Sequence, residues 1–261
     1  MPAESDGEII ANYTRASRKD FRDAVGATRK AQAEWSKQSA CFARTDSLSR
    51  RRDAGDAPDG VGRRDRARRE NGTDRRPTKR GSPSSDSSTT RTDRQVQPIF
   101  SAVNPVASSH FDFNSPEPSG IVVILCFPKP PLLALVSLVA PAILSGNTAA
   151  VLASRTKPLP ALTFAEITAT SDLPAGVVNI LSGDPAELAP YIAEHMDLNA
   201  IVDVSGAAEI AVTLQQAGGF NVKRHVQRDL PPSKWRTSAA ENPYWILETI
   251  EMKTARHPIE L

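Results

Sequence analysis

The chain has 261 residues, 39% hydrophobic and 24% charged, with a formal net charge of +2. That length admits one large domain or two small ones, and the near-neutral balance hides a segregation. Arg44–Arg94 holds 15 basic and 9 acidic residues against 17 and 21 in the rest, so the basicity belongs to one stretch and the remainder is mildly acidic. Two cysteines, Cys41 and Cys126, exclude a disulfide framework or a cysteine-rich zinc site and suit a reducing cytoplasm. The opening MPAESDGEII lacks the layout of a secretion signal. The longest apolar run, PLLALVSLVAPAIL, is too short to span a bilayer, so no membrane role is expected.

Residues 1–42 read as a helical segment. Over 17–38, Ser17 caps and Asp20 stands at the capping-box position three residues on. Phe21, Val25, Thr28 and Gln32 then continue one face, with Ala24, Ala27, Ala31 and Trp35 beside it. Residues 43–94 form an Arg-rich insert. Between Leu48 and Val96 the only aliphatic side chain larger than alanine is Val61, too little to offset chain entropy, so disorder is expected. A nucleic-acid arm would share the charge but would want interleaved aromatics, which are absent there, and no nucleic-acid partner is expected. Order resumes near Gln95, with an extended approach through SPEPSG.

From Gly120 the pattern alternates. GIVVILC, TAAVLAS, GVVNILSG and NAIVDVSG read as strands, the first as a continuous apolar run covered on both faces. PLLALVSLVAPAILSGN, LPALTFAEITATSDLP, PAELAPYIAEHM and AAEIAVTLQQAGG read as the helices that follow them. The expected class is α/β, a Rossmann-like, mostly parallel sheet with flanking helices over 95–220. Residues 221–261 read as a tail without a clear period. His110, His195, His225 and His257 lack metal-ligand spacing, and no Gly-x-Ser-x-Gly elbow is present.

SPEPSGIVVILCFPKPPLLALVSLVAPAILSGNTAAVLAS, followed by LPAGVVNILSGDPAELAPYIAEHMDLNAIVDVSG, resembles the cofactor-binding half of the aldehyde dehydrogenase superfamily. DFRDAVGATRKAQAEWSK is similar to that family's opening helix, and ETIEMKTARHPI to the ending of short actinobacterial members. The resemblance implies an incomplete cofactor domain and NAD or NADP as cofactor. It puts the turn that carries the oxyanion-binding asparagine at Phe127, Pro128 and Lys129, with lysine in the asparagine's place. Leu152 stands where the family has a ribose-reaching lysine, followed by Ser154. Arg155 aligns near a ribose-binding acid, where an arginine would favour a 2′-phosphate. Gly183 matches a glycine at a helix opening near the cofactor, and Gly206 closes the turn that would meet the nicotinamide.

No glycine-flanked cysteine follows Gly206, and no segment carrying the family's glutamate base, so the expectation is no catalytic residue and no aldehyde oxidation. The implied partners are further copies of the chain or a complete aldehyde dehydrogenase, to which this chain would be a non-catalytic subunit. The family places amphipathic helices where the Arg-rich insert stands. Regrouping the codons allowed for Arg44–Asp59 one nucleotide later permits GQILYRVAEMLETRR, a peptide with helical apolar spacing similar to the family's. Residues from about 43 to 93 are therefore expected to be read out of frame, which the gene's nucleotide sequence tests directly.

Overall fold

The computed structural model describes residues 2–5, 8–37, 102–106, 109–126 and 131–259. The Arg-rich insert, Cys41 and Phe127-Pro128-Lys129 lie outside the described residues. The chain opens on an antiparallel pair, β1 (Pro2–Ser5) and β2 (Glu8–Asn12), so the expected helical start is preceded by strands. The helix itself is α1 (Arg18–Trp35), inside the expected span. Ser17 caps it through a reciprocal box: the Ser17 hydroxyl accepts from the Asp20 amide, and the Asp20 carboxylate accepts from the Ser17 amide at 2.8 Å. Phe21, Val25, Thr28 and Trp35 are its buried residues. The Trp35 indole Nε1 donates to the Ile143 carbonyl at 3.0 Å, pinning the end of α1. The same carbonyl accepts from the Gly146 amide at 3.1 Å, so losing the indole donor would remove one of two hydrogen bonds there, at a cost of about 0.5–1.5 kcal/mol.

The core is a five-stranded parallel sheet formed by β5 (Ile121–Leu125), β6 (Thr148–Ala153), β7 (Val178–Ser182), β8 (Ala200–Asp203) and β9 (Arg224–Gln227). Its order is β7-β6-β5-β8-β9. Helices α2 (Pro131–Leu144), α3 (Leu159–Thr170), α4 (Pro185–Glu194) and α5 (Ala208–Gly218) connect the strands. All residues of β5, β6 and β8 are buried, as the continuous apolar run of β5 predicts for that strand. Strand alternation then divides the core in two. Val122, Ile124, Val151 and Val202 pack on α2 and α3, while Ile121, Val123, Leu152 and Ile201 pack with Phe21, Val25 and the apolar faces of α4 and α5.

The residues beyond 220, read from sequence as a tail, are built into this core. β9 extends the sheet on β8. Trp235 and Trp245 are buried in the cluster on the α2 side and meet edge-to-face at 6.0 Å. The Arg228 guanidinium lies 4.0 Å above the Trp245 ring and pairs with Glu248. Arg224 donates to the carbonyls of Leu247, Glu248 and Ile250. The approach to the core also forms a second sheet. β3 (Ala102–Asn104), β4 (His110–Pro118) and β10 (Ile250–Pro258) are antiparallel in the order β10-β4-β3, with Ile250 opposite Pro118 and Pro258 opposite His110. Directly across that pair, buried Asp112 is held by exposed Arg256 at 3.0–3.1 Å.

Candidate functional site at the carboxyl edge of the parallel sheet

The chain fills the sheet from β5 outward through β6 to β7, then returns to the other side of β5 for β8 and β9. Its direction therefore reverses between β5 and β8, and the crevice outside the carboxyl ends of those strands is where open α/β sheets take their ligands. On one side of the crevice the turn after β8 is bonded to itself. Buried Asp203 accepts from the Ser205 amide at 2.9 Å, and the Ser205 hydroxyl accepts from the Ala207 amide at 3.3 Å. The Val204 amide donates to the Leu125 carbonyl, and Gly206 turns the chain into α5 at φ +71°. A side chain at that φ would be strained.

On the other side, the ends of β6 and β7 carry a charged cluster. Arg155 follows β6, and its guanidinium lies 3.0 Å from the Asp184 carboxylate at the start of α4. Arg15 reaches the same carboxylate at 3.9 Å and pairs with Glu187. Asp184 also caps α4, accepting from the Ala186 amide at 3.1 Å. The segment before α1 is laced to the same edge. The Tyr13 hydroxyl donates to the Arg155 carbonyl, the Ser182 hydroxyl donates to the Thr14 carbonyl, and the Ala16 amide donates to the Ser182 carbonyl.

The fold thus brings Ser154, Arg155 and Gly183 together, with the buried Ser154 hydroxyl 3.4 Å from that of Thr156. Gly206 stands apart from them, across β5. Leu152 is displaced from the site altogether: only 2% exposed, it lies between Leu125 and Leu181 in register and packs in the core facing α4. It is a packing residue, because its side-chain direction is set by the pleat rather than by its nearness to the strand end. Gly183 has a packing reason of its own, since a Cβ there would meet Leu188 Cδ1 at 3.0 Å and Leu152 Cδ1 at 3.3 Å. Tyr13, Arg15 and Asp184 were not expected from sequence. The capping Asp-Pro before α4 was the one available signal.

Cys126, at the end of β5, is 6% exposed and packs in the apolar cluster. Burial pushes its thiol up to about 12, the opposite of what a nucleophile requires. His225 on β9 is held below the ordinary imidazole value by burial, against the opposing pull of Asp203, and its Nε2 has no hydrogen-bond partner among the described residues. Among those residues no three His, Cys, Asp or Glu side chains are grouped to hold a metal, and no helix is long and apolar enough to cross a membrane.

Comparison with known proteins decides the family. The model of the aldehyde dehydrogenase family matches residues 1–227. The chain belongs to the aldehyde dehydrogenase family. Omega-crystallin of Enteroctopus dofleini is 33% identical over 121 residues, 46% of this chain and 24% of that protein. Cytosolic aldehyde dehydrogenase 1 of Elephantulus edwardii is 26% identical over 151 residues, 58% of this chain and 28% of that protein. The matched stretches are therefore about a quarter of these relatives' lengths. An aldehyde dehydrogenase from Brucella melitensis superposes with TM-score 0.72 at 18% identity, covering 85% of this chain and 46% of its own. Indole-3-acetaldehyde dehydrogenase complexed with NAD+ superposes with TM-score 0.75 at 21% identity, covering 87% and 46%. These superpositions establish the α/β fold.

Within the aldehyde dehydrogenase frame, the carboxyl edge is where a dinucleotide would be held. The strand reversal supplies the crevice, the glycine turn after β8 stands on one side, and Arg155, two residues after β6, stands near where a βαβ unit reads the ribose. Arg155, Ser154 and the turn through Gly206 are the residues that would hold the cofactor. The cofactor supplies hydride acceptance when bound.

Proposed function

We propose that this chain binds NAD+ or NADP+ at the crevice between β5 and β8 and does not itself oxidise aldehydes. The carrying observation is the parallel sheet that reverses at that crevice while the cysteine beside it, Cys126, is sealed in the core with its thiol pushed up to about 12. A thiolate is the attacking species in the family's chemistry, and a thiol so raised is protonated at neutral pH. The Asp203–Gly206 turn positions one part of the nucleotide and the ends of β6 and β7 the other. A reducing cytoplasm suits the two cysteines.

Calorimetric titration with each dinucleotide, paired with an absorbance assay for reduced cofactor over a panel of aldehydes, tests this reading. Binding without aldehyde-dependent reduction is expected. Silence for both dinucleotides refutes the binding half, and turnover refutes the other half.

A second reading, a non-catalytic subunit that joins a complete aldehyde dehydrogenase or another copy of this chain, is favoured by β10. This nine-residue strand pairs with β4 on one side only among the described residues. A long open edge is a template for strand pairing. Co-purification of a complete family member, or a dimer by sedimentation, supports it. A monomer that captures neither refutes it.

A further inference from the structure

If the crevice binds a dinucleotide as proposed above, the charged cluster at the ends of β6 and β7 bears on which one is taken. In a βαβ unit, the residue after the second strand reads the adenosine ribose: an acid accepts from the diol, whereas an arginine pairs with a 2′-phosphate. By type alone, Arg155 selects NADP+. Its surroundings reverse that preference. The Arg155 guanidinium is already paired at 3.0 Å with Asp184, a carboxylate whose side chain is 16% exposed and which is fixed in place by capping α4. Arg15 gives no surplus positive charge, because it is shared between Asp184 and Glu187. The two arginines and two carboxylates sum to zero charge. A phosphate reaching Arg155 would sit beside the Asp184 carboxylate, 3.0 Å from the guanidinium, and be repelled by it. A neutral diol meets no such repulsion.

We infer that Asp184 is a specificity-determining residue that, by holding Arg155, makes this chain select NAD+ over NADP+; the inference rests on the cofactor-binding reading. The carboxylate caps α4, just past the end of β7, and the arginine lies just past the end of the neighbouring β6, so Asp184 acts on the ribose position from outside the β5-α2-β6 unit.

Titration of the full chain with NAD+ and NADP+ tests this, alongside Asp184→Asn and Asp184→Asn/Arg155→Ala. Asparagine keeps the helix cap, and a circular dichroism melt verifies that the variants fold. The expected result is NAD+ binding at least about tenfold tighter than NADP+ in the parent chain. Asp184→Asn should shift the ratio toward NADP+ by about tenfold, and removing Arg155 as well should abolish that shift. A parent chain that prefers NADP+, or a ratio unmoved by Asp184→Asn while both cofactors bind, overturns the inference and leaves the binding reading standing. Binding of neither dinucleotide to the parent chain overturns both.

Discussion

Replacing Gly183 with alanine separates two explanations for a glycine at the opening of α4. If it is there to let a cofactor approach, alanine should weaken binding and leave stability alone. If it is there for packing, the reverse holds. The geometry favours packing: the added Cβ would sit 3.0 Å from Leu188 Cδ1, 3.3 Å from Leu152 Cδ1 and 3.5 Å from the Ala16 carbonyl oxygen. Both leucines are buried and neither can swing into solvent. Overpacking of this kind costs about 1–3 kcal/mol. Leu152→Ala alone opens a cavity and should cost about 2–5 kcal/mol. In the double variant the cavity receives the new methyl group, so the combined loss should fall short of the sum by about 0.5–1 kcal/mol. Urea unfolding followed by tryptophan fluorescence reads this directly, since Trp35, Trp235 and Trp245 are all buried. A Gly183→Ala chain as stable as the parent but unable to bind dinucleotide would refute the packing account. So would strictly additive losses in the double variant.

Two further predictions concern titrating groups. Burial holds His225 below the ordinary imidazole value despite Asp203, and likewise His195 despite Asp197. The unfolded chain therefore takes up protons first as pH falls. The stability these neutral rings contribute is complete above about pH 6.5 and is lost as pH drops through their lower folded values. Melting temperature against pH should bend downward below that point, and His225→Gln should flatten part of the bend; an unchanged profile in the variant rules out His225 as a source. For Cys126, with its thiol pushed up to about 12, iodoacetamide at mildly alkaline pH should leave the native residue unmodified and label it once the chain is denatured. Rapid native alkylation of Cys126, mapped by mass spectrometry, would show that the thiol is accessible.

Local patterns carried the central architecture. GIVVILC is apolar apart from its opening glycine and NAIVDVSG carries the apolar run AIV, and such runs become strands covered on both faces, here β5 and β8. Ser17 and Asp20 marked the start of α1 because a capping box is written within four consecutive residues. β9 was illegible: Arg224–Gln227 contains a single aliphatic residue, and its strand character comes from pairing with β8. The same holds for β10, whose Arg256 meets Asp112 of β4 across 144 residues of chain, whereas β4 lies in the stretch read as extended.

The candidate site divides along the same line. The Asp203–Gly206 turn and the Asp-Pro cap of α4 are local, and both could be read as turns. That Leu152 faces the core, and that Arg155 and Arg15 both meet Asp184, depends on the pleat of one strand and on how neighbouring strand ends align. Periodicity and capping act over a few residues and so leave a signature in any short window. Charge pairing and side-chain burial act between segments far apart in the chain, and it took the folded sheet to show that the arginine suggesting NADP+ is held by a carboxylate.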